Sequence, residues 1–368
     1  MKVSIRLQTI KYALFAGILV LFFSCDRPSE GSKKAGEHIK STVTATVETD
    51  PVPQKKNEDS ADDPTIWINP KNPAESVIIG TDKKGGIITY NLSGKQLNYY
   101  STGNMNNCDL RYGFPLNGDT IDVVAATNRS YHSISLYKIR EGGRLDTIHS
   151  RIIHSEMTEE VYGMCMYKSR ITSKFYVFIN SKAGEVEQWE LFGVGDKIDA
   201  RLVRSFALGT QTEGMVADDE TGMVYIGEEQ AGIYKFEAEP DSSSEGTVLE
   251  NSSEQNPNIK YDIEGLTIYK TDSINGYLLA SSQGNYSFVV FERKENNKYL
   301  GSFRITGTEM IDEVDETDGI DVTNVSLPGF PKGFLVVQDG YNYDGKKKVS
   351  QNFKIIPWEQ IELIFKDK

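Results

Sequence analysis

Glu264-Gly265-Leu266-Thr267-Ile268 is one of six segments built alike, each an ionisable or polar head followed by a strand-forming run. The others are Asp63-Pro64-Thr65-Ile66-Trp67, Asp109-Leu110-Arg111-Tyr112, Tyr162-Gly163-Met164-Cys165-Met166, Glu213-Gly214-Met215-Val216-Ala217 and Asp318-Gly319-Ile320-Asp321-Val322. Successive heads stand 46, 53, 51, 51 and 54 residues apart, and 50 residues follow Asp318. A period near fifty with several short strands per unit is the signature of a β-propeller. Equivalent positions of each unit then converge on one axis, so charges far apart in sequence meet in space.

The rest of each unit agrees. A second apolar run follows every head, at Ser76–Gly80, Ile121–Ala126, Phe175–Asn180, Met223–Gly227, Gly276–Ala280 and Gly333–Val337. A third follows a turn, at Gly86–Asn91, Ser133–Ile139, Glu185–Leu191, Gly232–Glu237, Ser287–Glu292 and Asn352–Pro357. These runs are β-branched and aromatic, and turn residues separate them. More polar fourth strands fit Leu97–Tyr100, Leu202–Phe206 and Tyr299–Ile305. Helical periodicity is confined to a short stretch at Pro357–Phe365. The chain is therefore expected to be all-β, a six-bladed propeller of four-stranded antiparallel blades spanning residues 41–368. Thr42–Thr49 is the expected ring-closing strand, which would leave no open sheet edge.

Residues 1–24 read as a signal peptide: Lys2, Arg6 and Lys11 precede the apolar run Tyr12–Phe23. Phe23-Ser24-Cys25 has the form of a bacterial lipobox, so Cys25 is expected to carry the lipid anchor and residues 25–40 to form a polar tether. The protein is thus expected to be exported, held to a bacterial membrane only through Cys25, and monomeric. Cys108 and Cys165 are expected to be buried free thiols. Lys and Arg number 40 against 53 Asp and Glu, a formal charge of −13, which argues against nucleic acid as a partner.

In a four-stranded blade the start of the innermost strand and the loop between the second and third strands share one face. Those loops carry cations early in the chain, at Lys83, Lys84, Arg129 and Lys182, and acids later, at Glu228, Glu229 and Asp339. The heads divide the same way, and Asp262 lies two residues before Glu264, on the same side of a strand. So many carboxylates cannot stay ionised together without counter-charge. Hard cations ligated by oxygen satisfy that need, and Ca2+ suits an extracellular site. A cationic arc beside them is a geometry for binding phosphate.

At these residues the chain resembles the β-propeller phytases, the calcium-dependent alkaline phytase family. The matching stretches include Asp62-Asp63-Pro64-Thr65-Ile66-Trp67, Asn106-Asn107-Cys108-Asp109-Leu110-Arg111-Tyr112, Asn128-Arg129-Ser130, Glu160-Val161-Tyr162-Gly163, Gln211-Thr212-Glu213-Gly214, Asp262-Ile263-Glu264-Gly265, Ser281-Ser282-Gln283-Gly284-Asn285 and Gln351-Asn352-Phe353-Lys354. The resemblance implies hydrolysis of myo-inositol hexakisphosphate (phytate) and lower inositol phosphates with several Ca2+ ions. By match of motif it implies substrate contacts at Lys83, Lys84, Asn128, Arg129, Tyr162 and Lys182, with Tyr162 counted among the catalytic groups. It likewise implies calcium ligation or water activation at Asp62, Glu213, Glu228, Asp262, Glu264, Asp312, Asp318 and Asp339. In that reading Glu213, Glu228 and Glu264 serve a metal-activated water, with no covalent intermediate. The parts of other phosphatases are missing: no Arg-His-Gly run, no phosphate-cradling loop after either cysteine, and no glycine-rich loop before a helix. Two alternatives stay open from the residues alone. A calcium-dependent propeller lactonase or esterase would share the acidic axis, and a non-catalytic surface lipoprotein would share the cations.

Overall fold

The strand-forming runs pair with their neighbours in chain order, so each fifty-residue unit becomes one antiparallel sheet. The computed structural model describes residues 36–53, 59–294 and 296–366. The expected leader, Cys25 and most of the tether lie outside the described residues. Six four-stranded blades stand in a ring, a six-bladed β-propeller. The innermost strands are Ala61–Trp67, Met105–Leu116, Val161–Lys168, Thr212–Asp218, Ile263–Lys270 and Ile320–Thr323. Each packs on the next around the axis, and the sixth packs on the first.

The second strands explain why the apolar runs are continuous rather than alternating. Successive side chains point to opposite faces of a sheet, and here both faces are covered by a neighbouring blade. Ile78 packs towards blade six and Ile79 towards blade two. Val123 and Val124, Val177 and Phe178, Tyr225 and Ile226, Leu278 and Leu279, and Leu335 and Val336 divide in the same manner between the flanking wedges. Six apolar clusters result among the described residues, one in each wedge. Each fully buried aliphatic or aromatic side chain contributes roughly 1.5–3 kcal/mol, so the wedges are the main source of stability.

The segment expected to close the ring does so in two pieces. Thr42–Thr44 adds to blade five as a fifth strand, parallel to Tyr299–Thr306, with Val43 opposite Ile305. Val47–Glu48 then crosses to blade six and supplies its fourth strand, antiparallel to Asn352–Pro357. Ala45, between them, is buried in the wedge of blades five and six. The N-terminal segment therefore sews two blades together, which a single strand could not. Residues 36–40, read as the end of the tether, already pack on the ring, where Ile39 is buried. Fourth strands absent from the sequence reading occur at Arg144–Thr147 and Thr247–Val248. Trp358–Phe365 is a helix, and its Trp358 ring stacks on Tyr269 with centroids 3.6 Å apart.

The repeat heads need correction in the first two blades. Each of the first five innermost strands carries a bulge in which two residues oppose one, between Ala61 and Pro64, Met105 and Cys108, Val161 and Met164, Thr212 and Met215, and Ile263 and Leu266. The first residues of these bulges are Asp62, Asn106, Tyr162, Glu213 and Glu264, so Asp62 and Asn106 are the true equivalents, not Asp63 and Asp109. Asp109 corresponds instead to Asp321, deeper along the strand. Bulges re-aim side chains, and here they turn the heads towards one mouth of the channel. The residue after the head is glycine in blades three to six because the next strand leaves no room. A Cβ on Gly163 would lie 1.8 Å from the Glu213 carbonyl oxygen, and one on Gly214 would lie 2.1 Å from that of Glu264. Replacing Gly214 with alanine should therefore cost about 2–4 kcal/mol by forcing two inner strands apart. Urea denaturation measures this, and an unchanged midpoint would mean that the strands do not close so tightly.

Candidate active site

One backbone hydrogen bond, repeated six times, builds the functional face. The residue just past each second strand donates its amide to a carbonyl just before the innermost strand. The pairs are Lys83 to Ser60 (2.8 Å), Arg129 to Asn104 (2.8 Å), Lys182 to Glu160 (3.4 Å), Glu229 to Gln211 (3.0 Å), Gln283 to Asp262 (2.9 Å) and Gly340 to Asp315 (2.8 Å). Two concentric rings follow. The inner ring is Asp62, Asn106, Tyr162, Glu213, Glu264 and Asp318, and the outer is Lys83, Arg129, Lys182, Glu229, Gln283 and Gly340. Members of both line a cleft of about 400 Å³, together with Asp59, Asp262, Tyr341 and Lys348.

Glu213, Glu229 and Glu264 are buried, and one carboxylate oxygen of each lies within 4.8 Å of the others. Burial raises the pKa of Glu213, and burial with the Glu213 charge raises Glu264 well above the ordinary carboxylate range. The same two causes push Glu229 up to about 7. Asn106 Nδ2 donates to Glu213 Oε1 at 2.7 Å. On the other side of the axis Lys83 Nζ lies 2.6 Å from Asp318, 2.8 Å from Asp59 and 3.2 Å from Asp62. Burial nonetheless lifts both Asp62 and Asp318 to about 7, with Lys83 opposing it. Asp62 Oδ2 and Glu264 Oε2 are buried without any hydrogen-bond partner. Orphaned carboxylate oxygens beside a three-glutamate cluster fit a hard, oxygen-ligated cation such as Ca2+. Glu213, Glu229, Glu264, Asp62 and Asp318 are the residues able to hold one.

Arg129 and Lys182 converge on Tyr162, which lines the cleft. The guanidinium carbon is 5.8 Å and the ammonium 4.8 Å from the ring centroid. Glu160 Oε2 accepts a 2.7 Å bond from Arg129 Nη2 and lies 3.3 Å from Lys182 Nζ. Partial burial works against the Glu160 charge, but these two cations outweigh it and lower its pKa. Burial and the charges of Glu213 and Glu264 hold the Tyr162 phenol protonated far above neutral pH.

The remaining expected residues are placed differently. Glu228 and Asn128 each end a second strand, one position before the outer ring, so their side chains point the opposite way. Glu228 accepts from Thr210 Oγ1 at 2.7 Å, and Asn128 Nδ2 donates to the Thr102 carbonyl at 2.9 Å. The third member of the glutamate cluster is therefore Glu229, not Glu228. Aligning the loop of blade four with Lys83, Arg129 and Lys182 would have found it. Lys84 is exposed beside the site. Asp262 lines the cleft, half-buried. Asp312 and Asp339 do not join the central cluster; both bind the buried ammonium of Lys354, Asp339 Oδ2 at 2.7 Å. Burial raises Asp339 to about 6 against the pull of Lys354. Asp109 and Asp321 line a second cavity of about 320 Å³ elsewhere along the channel. Cys108 and Cys165 are buried free thiols, as expected, and burial pushes both upward, away from a nucleophilic thiolate.

The family model for phytases matches residues 11–368. A 3-phytase of Bacillus subtilis (strain 168) is 44% identical over 361 residues, which cover 96% of this chain and 92% of that protein.

The raised carboxylates make the stability of the metal-free protein depend on pH. Their folded pKa values, about 7 for Asp62, Asp318 and Glu229, lie above those of the unfolded chain. The stability they contribute is complete below the unfolded pKa, near 4, and is lost as pH rises through 7. Chelated protein should lose roughly 5–10 °C of thermal midpoint between pH 6 and pH 8, and saturating Ca2+ should remove that loss. Calorimetry at the two pH values decides it; a flat response without metal would mean the cluster is not strained.

Proposed function

The chain belongs to the phytase family and is a phytase, and from that premise we propose that it releases phosphate from phytate by calcium-dependent attack of water, without a covalent intermediate. The observation that carries the reading is the buried Glu213–Glu229–Glu264 cluster sharing a cleft with Tyr162, the ring on which Arg129 and Lys182 converge. Glu213, Glu229 and Glu264, with Asp62 and Asp318, would hold the calcium. Bound there, calcium supplies Lewis acidity for a water nucleophile and positive charge for a highly anionic substrate.

The chain's own groups do the rest. Arg129 presents a planar fork of donors suited to phosphoryl oxygens, and Lys182 adds a point charge beside it. Tyr162 supports both from beneath and offers a phenolic hydroxyl that stays protonated. Lys83 is held among three carboxylates, so its ammonium is fixed at the boundary between the acidic and cationic halves. Glu229 stands in the cluster as a carboxylate placed to orient a water and accept its proton. Cations drawn from several blades favour a substrate with several phosphates over a simple monoester. The leader and Cys25 support an exported lipoprotein, monomeric and held to a bacterial membrane through its lipid alone; the acidic net charge supports no role with nucleic acid.

Phosphate release from phytate by chelated protein, with and without restored Ca2+, tests the reading directly. Absence of release in both conditions would overturn it. Glu229→Gln keeps the shape and removes the charge, and turnover at saturating phytate should fall about a hundredfold. Glu228→Gln should stay within about threefold of the parent rate, since that side chain faces Thr210. The reverse order in initial-rate measurements would return the chemistry to Glu228.

A further inference from the structure

The clamp that would receive a phosphate already holds an anion. Glu160 Oε2 takes the Arg129 guanidinium at 2.7 Å and stands 3.3 Å from the Lys182 ammonium. The placement is built into the backbone, because the Glu160 carbonyl receives the amide of Lys182 itself. The carboxylate is not locked away: its side chain is 39% exposed. Carboxylate and phosphate present similar oxygen pairs to a guanidinium, and both cannot use the same N–H groups at once.

We propose that Glu160 is a resident counter-anion of the phosphate clamp, which occupies Arg129 and Lys182 between turnovers, yields them to a substrate phosphate and returns to displace the product. The role rests on the phytase reading above and adds to it a residue that governs product release. Two cations over one tyrosine ring, with no competing charge, would bind inorganic phosphate tightly. Every turnover leaves that ion in the site. An internal carboxylate competes with it at an effective concentration set by the fold rather than by solution. Glu160 is thus a positioning residue that acts through Arg129 and Lys182.

The test uses the full chain loaded with calcium and inorganic phosphate as the probe. Glu160→Gln removes the charge, and calorimetry should show phosphate binding about tenfold tighter, equivalent to about 1.4 kcal/mol. Inhibition of phytate hydrolysis by phosphate should strengthen by the same factor, with KM and kcat falling together as product release slows. Glu160→Ala should show the same gain, and Glu160→Asp should return towards the parent. Glu159→Gln removes an adjacent exposed charge that does not contact the clamp, and should change phosphate affinity less than twofold. Unchanged or weaker phosphate binding in folded Glu160→Gln would overturn the proposal and leave a merely structural ion pair. An equal gain in Glu159→Gln would overturn it too, in favour of a diffuse charge effect. Failure of the wild-type chain to hydrolyse phytate would overturn the function instead, and the calorimetric comparison would still decide the role of Glu160.

Discussion

The close approach of six inner strands around one axis is the constraint from which the rest of the molecule follows. It is possible only because the residue after the head lacks a side chain in four blades, or turns it to use in a fifth. Asp63 Oδ2 accepts the amide of Cys108 in blade two, so a side chain bridges where Gly163, Gly214, Gly265 and Gly319 allow contact. With the strands this close, the preceding residue of each bulge has nowhere to point but the channel mouth. Glu213, Glu264, Asp62 and Asp318 are brought together by closure of the fold, and burial raises the pKa of each.

The two halves of the ring meet this burial differently. Asp62 and Asp318 share the ammonium of Lys83, an ion pair assembled from blades one and six. Glu213, Glu229 and Glu264, from blades four and five, hold no lysine or arginine in direct contact among the described residues; the Asn106 amide serves Glu213 and the Gln211 amide serves Glu229. A site tuned for stability alone would replace one of these acids with an amide or an apolar residue. Keeping all three is the mark of a functional cluster, where local strain is tolerated because the chemistry needs it.

Much of this was legible in the sequence, and what was missed has a common cause. The period, the blade count and the second and third strands follow from apolar runs that both faces of a blade must bury. The errors are shifts of one to three residues. Asp63 and Asp109 took the place of Asp62 and Asn106 because a bulge inserts a residue that no hydrophobic pattern announces. Glu228 took the place of Glu229 because neighbouring strand residues point to opposite sides, and composition cannot tell which of two glutamates faces the axis. Thr42–Thr49 divides between two blades because Ala45 is small enough to cross the wedge, a packing fact beyond any local propensity. Glu160 stands in a matching motif without a role of its own, since an acid before a strand acquires meaning only when Arg129 and Lys182 close on it.

Lys354 shows how completely an internal cation can settle an acidic cluster. Its ammonium is fully enclosed and binds Asp312, Asp339 and the carbonyls of Asp312 and Glu313. Lys83 meets three carboxylates, one more than Lys354, but at the wall of an open cleft. A buried ion pair adds little net stability over an apolar packing of the same shape, yet losing one partner is costly. Lys354 therefore acts mainly to fix geometry, tying the Asp312 loop to the second and third strands of blade six. The resemblance assigns Asp312 and Asp339 to calcium. For a metal to enter there, Lys354 would have to surrender all four oxygens, whereas at Asp62 Oδ2 and Glu264 Oε2 lone pairs already stand without partners. A cation at the central cluster would find those two oxygens free even with Lys83 in place, whereas one at Asp312 and Asp339 would first have to displace Lys354.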